Sequence, residues 1–344
     1  AVGVMMRGEL EALGFDVRWV DMAAAGRAGH IIATHHGSGR GKRVLLIGHL
    51  DTVFEPNNPF QGYERSGTRV VGPGVGDDKG GMVVIIGALR AMQAAGTLAQ
   101  ADITVVLTGD EERMGAPQDI ARADLIAAGR WADAALEYEN LATGDGSGEF
   151  GTVARRSSTN WDVQTSGETG HSSTIFSAGA GYDAIYELAR ILDSFRRDLP
   201  EANLTYNVGM MAGGTPATID STAESVAAVG KTNIIPSSAV ARGDLRSLTP
   251  EQDARVRDHM TQIVGQHLPG AGASIRFYEG YPPMAPTAGN RALLAQLNSV
   301  NQDLGLPAMA EYDPARRGAA DSGFVAADVD TLGGLGAISG NAHA

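Results

Sequence analysis

Histidine and carboxylate side chains follow several apolar runs of this sequence. The run RVLLIGHL, residues 43–50, contains His49 near its end, and Asp51 comes two positions after that histidine. Residues i and i+2 of a strand lie on the same side, and the carboxyl ends of parallel strands face the crevice where α/β proteins bind ligands. We therefore predict that His49 binds a ligand and that Asp51 orients it. A pair of solvated loop residues is the alternative.

A second acidic group lies in the glycine-rich stretch GPGVGDDKGGM, residues 72–82, where Asp77 and Asp78 precede a predicted helix. Adjacent carboxylates repel each other, so we expect a positive group beside them. A helix-capping aspartate with a charged neighbour is the alternative. A phosphate-binding loop is disfavoured, because no Gly-Lys-Ser/Thr follows and acidic side chains would repel phosphate.

Two more predicted strands end in carboxylates. The first, ADITVVLTGDEE, ends in residues 110–112, and three consecutive carboxylates at a buried strand end cost free energy unless they are paired or bind a metal. The second, DAALEYEN, carries Glu137 and Glu139, and the glycine-rich C-terminal stretch contains His343. Each of these groups could also be an exposed loop charge.

Together these residues predict a metal site at one edge of a sheet. The sequence contains no cysteine, so a metal site must use His, Asp and Glu. Two histidines and three carboxylates suit two divalent ions, above all Zn²⁺, with Co²⁺ and Mn²⁺ as alternatives. Two ions about 3.5–4 Å apart can share a hydroxide and polarise a carbonyl, while a neighbouring carboxylate acts as general base.

The composition excludes several other classes. The formal net charge of −13 argues against a nucleic-acid partner, which would require a basic surface. No apolar run approaches the roughly 20 residues of a membrane span, so we predict a soluble protein, either cytoplasmic or periplasmic/secreted. The chain starts inside a helical pattern and stops in a loop, so we expect a fragment of a longer protein.

The order of the predicted elements indicates two domains. Residues 1–153 alternate strands and helices, including one helix over residues 116–132, which is typical of a mainly parallel α/β sheet. Residues 154–279 read β-α-β-β-α-β, the order of a ferredoxin-like α+β module. Residues 280–344 return to the first pattern. We predict a discontinuous metal-binding domain, 1–153 and 280–344, with an inserted domain, 154–279.

The motifs also carry a resemblance to a known family. GHLDTV, GPGVGDDKGGM, GDEERMG, GHSS, TNIIP with DLR, and GNAH occur in this order over essentially the whole chain. The sequence resembles the dinuclear zinc peptidases and amidohydrolases that include carboxypeptidase G, ArgE, DapE and aminoacylase, and it looks most like carboxypeptidase G. The resemblance implies a zinc-peptidase-like α/β catalytic domain and makes the inserted domain a lid and dimerisation domain.

The same resemblance implies roles for individual residues. Asp51 matches the carboxylate that orients the first histidine ligand, and Glu111 matches the general base. Asp77 matches a ligand that bridges both ions. For the fourth motif, the spacing leaves Glu137 as an alternative to Glu139. The implied metal ligands are His49, Asp77, Glu112, Glu139 and His343.

The resemblance also assigns substrate-binding residues in the inserted domain. His171 matches a histidine that reaches the partner subunit's active site and stabilises an oxyanion. Asn233 and Arg246 match groups that hold the substrate's carbonyl and carboxylate, and an arginine fork suits both carboxylate oxygens. Without the resemblance, His171 would be interpreted as a residue beside a helix cap and Arg246 as a surface charge.

One departure from the family bears on the substrate. Members that release glutamate carry an arginine just before the proline in the segment that here reads EGYPPMAP, and this chain has Tyr281 at that place. A neutral or apolar released residue is therefore expected.

The sequence thus predicts a homodimeric metallo-carboxypeptidase or N-acyl amino acid amidohydrolase with two zinc ions per subunit, acting on a peptide or an N-acyl amino acid. The alternatives are a non-catalytic, metal-stabilised dimer that binds peptides or acyl-amino acids, and a single-metal amidase.

Overall fold

The computed structural model describes residues 1–54, 57–144, 148–220, 222 and 224–340. Its helices are α1 (Val2–Ala12), α2 (Gly81–Ala94), α3 (Gln118–Ala121), α4 (Ala123–Trp131), α5 (Ala184–Asp198), α6 (Pro250–Val264) and α7 (Ala288–Asp303). Its strands are β1 (Asp16–Asp21), β2 (Gly29–His35), β3 (Arg43–His49), β4 (Glu64–Ser66), β5 (Arg69–Val71), β6 (Asp102–Thr108), β7 (Ala134–Glu137), β8 (Ala142–Thr143), β9 (Glu149–Gly151), β10 (Thr159–Gly167), β11 (Thr205–Gly214), β12 (Ala217–Ile219), β13 (Val226–Ala228), β14 (Ser238–Arg246), β15 (Ala271–Phe277), β16 (Ala310–Glu311) and β17 (Thr331–Leu332). Short helical turns cover Ala23–Ala25, Val75–Gly80, Leu98–Gln100, Ser172–Thr174, Pro314–Arg316 and Asp321–Phe324.

The chain divides into two compact units. Unit 1 is Ala1–Arg155 with Met284–Ala344, and unit 2 is Arg156–Pro283. The predicted division put the two changes after residues 153 and 279, whereas the units change after residues 155 and 283.

Unit 1 is built on a six-stranded sheet in the order β1-β2-β6-β3-β7-β17. Strands β6, β3, β7 and β17 run parallel, and β2 and β1 extend the sheet in antiparallel pairs. Every residue of β6 is buried, and the run LLIG of β3 is buried as well. Helices α2 and α4 both contact β3, which explains why its sequence is a continuous apolar run rather than an alternating one.

One predicted helix of unit 1 is interrupted. The helical pattern over residues 116–132 forms two helices, α3 and α4, that break at Arg122, where φ is −115° and ψ is 3°. The Arg122 side chain is fully buried and pairs with Asp110 and Asp321. A guanidinium is rarely buried without ionic partners, and the break lies at the residue that makes these pairs.

Unit 2 has the ferredoxin-like order that the sequence predicted, β10-α5-β11-β14-α6-β15, with an additional hairpin of β12 and β13 between β11 and β14. Its antiparallel sheet runs β11-β14-β10-β15, and α5 and α6 pack on it through a core that includes Trp161, Phe195 and Met260. Helix α6 begins at a threonine cap, where Thr249 Oγ1 accepts a hydrogen bond from Gln252 N at 3.1 Å.

Among the helices in the described parts of the chain, none combines the length and the apolar composition that crossing a bilayer requires.

Candidate metal centre

The ends of three adjacent parallel strands carry the predicted site residues. His49 is the last residue of β3, Glu111 and Glu112 follow β6, and Glu139 lies two residues after β7. Because β6, β3 and β7 are neighbours in the sheet, their carboxyl ends bring these side chains to one edge.

Asp77 reaches the same edge from the turn that precedes α2. Its backbone is not helical, with φ −114° and ψ 99°. The turn packs tightly against the chain beside Glu139, because a Cβ atom built on Gly81 would lie 2.0 Å from the carbonyl oxygen of Tyr138. Glycine is needed at this position, where any side chain would collide with backbone.

His49, Asp77 and Glu139 form a compact group of possible metal ligands. One donor atom from each lies within 4.8 Å of the other two. His49 Nε2 is 2.7 Å from Asp77 Oδ1 and 3.2 Å from Glu139 Oε1. One imidazole and two carboxylates at this spacing fit a divalent ion such as Zn²⁺.

The charge state of His49 reflects these contacts. Burial alone would lower the pKa of His49, but the adjacent carboxylates of Asp51, Asp77 and Glu139 raise it well above 6.5. Burial also opposes ionisation of Glu139, yet the contact with His49 lowers the pKa of that carboxyl to about 2. The carboxylates of this group are therefore charged and surround one imidazole. A metal cation bound here would interact with the same carboxylates.

Asp51 connects the end of β3 to the turn after β6. Its two carboxylate oxygens accept hydrogen bonds from the backbone N–H groups of Glu111 at 3.1 Å and Glu112 at 3.0 Å. Asp51 Oδ1 also lies 3.3 Å from His49 Nδ1. A carboxylate on the second nitrogen of an imidazole orients the ring and leaves Nε2 to face the ligand position.

Glu111 lies in an environment that favours a bound proton. Burial raises the pKa of the Glu111 carboxyl well above 4.5, and the negative charge of Glu139 adds to this rise, while His49 opposes it. A divalent cation among the same carboxylates would lower this pKa, because it stabilises the ionised form. A carboxyl that can hold or release a proton suits an acid–base role.

The structure distinguishes between the two glutamates of the third strand. Glu137 is fully buried and its Oε2 accepts hydrogen bonds from Arg155 Nη2 at 2.5 Å and Nε at 2.9 Å. Its Oε1 accepts one from the backbone N–H of Ser322 at 3.0 Å. Glu139, and not Glu137, lies with His49 and Asp77.

Asp110 belongs to a different cluster from the residue that follows it. Its carboxylate accepts hydrogen bonds from Arg122 Nη1 at 2.5 Å and from Gly115 N at 2.8 Å. Arg122 Nε donates to Asp321 Oδ1 at 2.9 Å, and Thr108 Oγ1 donates to Asp321 Oδ2 at 2.5 Å. We name Asp110, Arg122, Asp321 and Thr108 the Arg122 network.

The remaining predicted ligands are Glu112 and His343. Glu112 lies beside Glu111 in the turn that Asp51 holds, and His343 lies outside the described residues. The chain that leads towards His343 runs along the Glu139 segment: Gly336 N donates to Glu139 O at 2.9 Å, and Leu141 N donates to Ala337 O at 3.1 Å.

Sequence reasoning missed two arginines beside this centre. Arg155 pairs with Glu137, and Arg317 Nη2 donates to the carbonyl oxygen of Asn140, the residue after Glu139, at 2.5 Å. Burial, together with the nearby charge of Arg155, lowers the pKa of Arg317 to about 10. No local pattern marks either arginine, because the partners Glu137 and Asn140 lie far away in the sequence.

A cavity of about 720 Å³ borders this centre within unit 1. Asp77 lines it together with Phe54, Phe60, Val75 and Ile338. Its volume lies in the range of about 300–1,000 Å³ that is usual for small-molecule sites.

Unit 2 places two of its three predicted residues together. His171 and Asn233 lie on adjacent segments, since Ser172 N donates to Asn233 O at 3.0 Å. His171 is exposed, and its Nδ1 lies 2.9 Å from Ser173 Oγ. Arg246 lies at the far end of β14, where its Nε donates to Asp244 Oδ2 at 3.0 Å.

Comparison with known proteins bears on the family of this chain. The model of the family described as Peptidase family M20/M25/M40 matches residues 45–344. Carboxypeptidase G2 of Pseudomonas sp. (strain RS-16) is 28% identical over 302 residues, which are 86% of this chain and 66% of that protein. The chain thus spans slightly less than two thirds of this relative's length.

Solved structures share the fold. Aminopeptidase PepT from Bacillus cereus ATCC 10987 superposes with a TM-score of 0.69 at 19% identity, over 96% of this chain and 82% of that one. The YXEP protein of Bacillus subtilis, described as a dinuclear metal binding peptidase from the M20 family, gives a TM-score of 0.61 at 17% identity, over 96% and 80%. With the family model matched from β3 to the C-terminal residue of the sequence, this chain belongs to the peptidase family M20/M25/M40.

Proposed function

We propose that this protein hydrolyses an amide or peptide bond in a metal-dependent reaction and releases the C-terminal amino acid from a peptide or an N-acyl amino acid. The observation that carries the proposal is the close group of His49, Asp77 and Glu139, of which the first two are buried, with Glu111 beside it. Family membership supports the reaction class, and the likeness to carboxypeptidase G2 supports release from the C-terminal end.

Two ions per subunit are part of the proposal. We assign His49, Asp77, Glu112, Glu139 and His343 as their ligands, with Asp77 shared. The likeness to a dinuclear metal binding peptidase supports a pair, and the mixed nitrogen and oxygen donors suit Zn²⁺, with Co²⁺ or Mn²⁺ as alternatives. Such ions, when bound, lower the pKa of water and polarise a carbonyl oxygen.

Glu111 then acts as the proton carrier of the reaction. Its carboxylate removes a proton from the attacking water and donates that proton to the leaving amine nitrogen. The pKa of Glu111 is raised by burial and by Glu139, which supports a group able to hold the proton between the two steps. Asp51, by bonding the backbone of Glu111 at 3.1 Å, keeps this carboxyl in place.

We further propose that the substrate binds residues from two subunits of a homodimer. Arg246 would hold the substrate carboxylate, and His171 and Asn233 its carbonyl. These groups lie towards opposite ends of β14, whose eight residue steps from Ser238 to Arg246 span about 27 Å. A dipeptide spans about 7 Å, so one copy of unit 2 cannot offer both groups to one substrate.

Tyr281 supports a neutral or apolar released residue. Its backbone pairs with Ser158 in unit 2, and Tyr281 stands where relatives that release glutamate carry a cation. Without that cation, an acidic side chain would lose its ionic partner.

The test is hydrolysis of a panel of dipeptides and N-acyl amino acids, followed by ninhydrin, before and after chelation and again after Zn²⁺ is returned. We expect activity to disappear on chelation and to return with two Zn²⁺ per chain by elemental analysis. Release that resists complete removal of metal would contradict the proposal. Full activity with one ion would favour a single-metal amidase, and substrate binding without release would favour a non-catalytic binding dimer.

A further inference from the structure

Arg317 contacts the backbone of Asn140, the residue that follows Glu139 in the sequence. Its Nη2 atom donates a hydrogen bond of 2.5 Å to the carbonyl oxygen of Asn140. The carbonyl of Asn140 belongs to the peptide group between Asn140 and Leu141, so this bond restrains the second peptide group after Glu139. Hydrogen bonds from a charged donor are stronger than neutral ones.

Glu139 depends on such restraints because it lies outside the regular sheet. Strand β7 ends at Glu137, and two backbone bonds hold the next residues: Tyr138 N donates to Ile47 O at 2.8 Å, and Gly336 N donates to Glu139 O at 2.9 Å. Arg317 adds a side-chain bond to the Asn140–Leu141 peptide group, whose N–H also donates to Ala337 O at 3.1 Å.

Arg317 is itself held in place. Arg155 Nη1 donates to the carbonyl oxygen of Gly318 at 2.9 Å, and Arg155 also pairs with Glu137. The Arg317 side chain is half-buried, and its Nε atom is shielded from solvent. The guanidinium therefore acts from a fixed position rather than from a mobile surface side chain.

The charge of Arg317 has an effect opposite to that of its hydrogen bond. Arg317 interacts electrostatically with Glu139, Glu137 and Asp77. It reduces repulsion among these carboxylates, but a cation near a metal site also repels a divalent ion. Loss of the hydrogen bond would weaken metal binding, whereas loss of the charge alone would strengthen it.

We propose that Arg317 is a positioning residue that orients Glu139 for metal binding through the Asn140 carbonyl, and that this restraint outweighs the repulsion between Arg317 and the ion. The inference rests on the proposed function, in which Glu139 is a metal ligand. Partners that orient a metal ligand typically contribute about 10- to 100-fold to metal affinity.

The experiment compares Arg317→Met and Arg317→Lys with the parent chain and with Arg316→Met. Arg316 is the neighbouring arginine, is exposed and lies over the Tyr312 ring, so its replacement removes one positive charge beside Arg317 while the bond from Arg317 to Asn140 is kept. Zn²⁺ affinity and stoichiometry are measured by competition with a chelator, and the visible spectrum of the Co²⁺-loaded protein reports the coordination. Thermal unfolding of the metal-free chains shows whether each variant folds.

For Arg317→Met we expect one of the two Zn²⁺ equivalents to bind roughly 10- to 100-fold more weakly, with a changed Co²⁺ spectrum. Arg317→Lys should recover part of the loss, because an ammonium group still donates to a carbonyl. Arg316→Met should match the parent. If Arg317→Met fails to fold, the Zn²⁺ affinity of Arg317→Lys is compared with that of the parent instead.

Folded Arg317 variants that bind both Zn²⁺ equivalents as tightly as the parent, or more tightly, would overturn the role of Arg317 alone. A parent chain that binds no Zn²⁺ would instead overturn the proposed function, and the role of Arg317 with it.

Discussion

Asp110 and Glu111 are consecutive residues, yet their side chains enter two different acidic clusters. Asp110 belongs to the Arg122 network, in which a fully buried guanidinium joins Asp110 to Asp321. Glu111 faces the metal centre, where Glu139 is a like charge that raises the pKa of Glu111 and where the basic group in contact with Glu139 is His49. Both clusters lie at the end of strand β6. They differ in the basic group that balances the negative charge of their carboxylates.

The difference separates a cluster whose charges are already paired from one that could hold a cation. The negative charge of a buried carboxylate is compensated when the carboxylate pairs with an arginine, so no further cation is needed. Carboxylates gathered around one imidazole carry excess negative charge, which a divalent ion can offset. The kind of cation beside a buried acid is therefore more informative than the acid itself.

The largest effect is expected from Glu111→Gln, which keeps the shape of the side chain but removes the carboxylate that we propose as the base. Activity on the best substrate should fall by about 10²- to 10⁴-fold, because a general base contributes that much. Steady-state kinetics measure the loss, and elemental analysis checks that both metal equivalents remain.

Glu149→Gln is the matched control for this change, since Glu149 is exposed on β9. It should leave the rate unchanged. A metal-loaded Glu111→Gln enzyme that works at the parent rate would show that another group is the base.

Arg122→Met tests the other cluster. The change leaves Asp110 and Asp321 buried without their guanidinium, and breaking a buried pair in this way costs about 3–5 kcal/mol. Urea unfolding of the metal-free chain measures the loss. Arg130→Met on α4, where the arginine side chain is 69% exposed, should change stability little; equal effects of the two would contradict the assigned difference.

Asp51→Asn tests the residue that connects His49 to the turn containing Glu111. The amide keeps the size of the side chain but loses the charge near His49 Nδ1. Zn²⁺ should bind about 10- to 100-fold more weakly, as for other partners of a ligand histidine. Competition with a chelator measures the Zn²⁺ affinity, and Asp119→Asn, at an exposed aspartate, is the control. An unchanged Zn²⁺ affinity in Asp51→Asn would mean that Asp51 has only a structural role.

Sequence patterns predicted the parallel strands and the residues at their ends, because continuous apolar runs and period-two spacing are local properties. They did not predict that Asp110 turns away from Glu111, or that Glu137 pairs with Arg155. These pairings join residues far apart in the chain, such as Arg122 and Asp321, and depend on which side chains the fold brings together. The break at Arg122 escaped prediction for the same reason, since helical periodicity continues through it.

The smallest effect is expected from Thr108→Val, which removes one hydrogen bond from the Arg122 network and keeps its charges. Thr108 Oγ1 donates to Asp321 Oδ2 at 2.5 Å, and both residues are buried. A hydrogen bond to a charged group contributes about 1.5–3 kcal/mol. Because Asp321 also accepts a bond from Arg122, we expect the free energy of unfolding in urea to fall by an amount at the lower end of this range. Thr104→Val on the same buried strand is the control, because among the described residues the Thr104 hydroxyl makes no side-chain hydrogen bond. Equal losses in the two variants would mean that burial on β6, rather than the contact with Asp321, sets the contribution of Thr108.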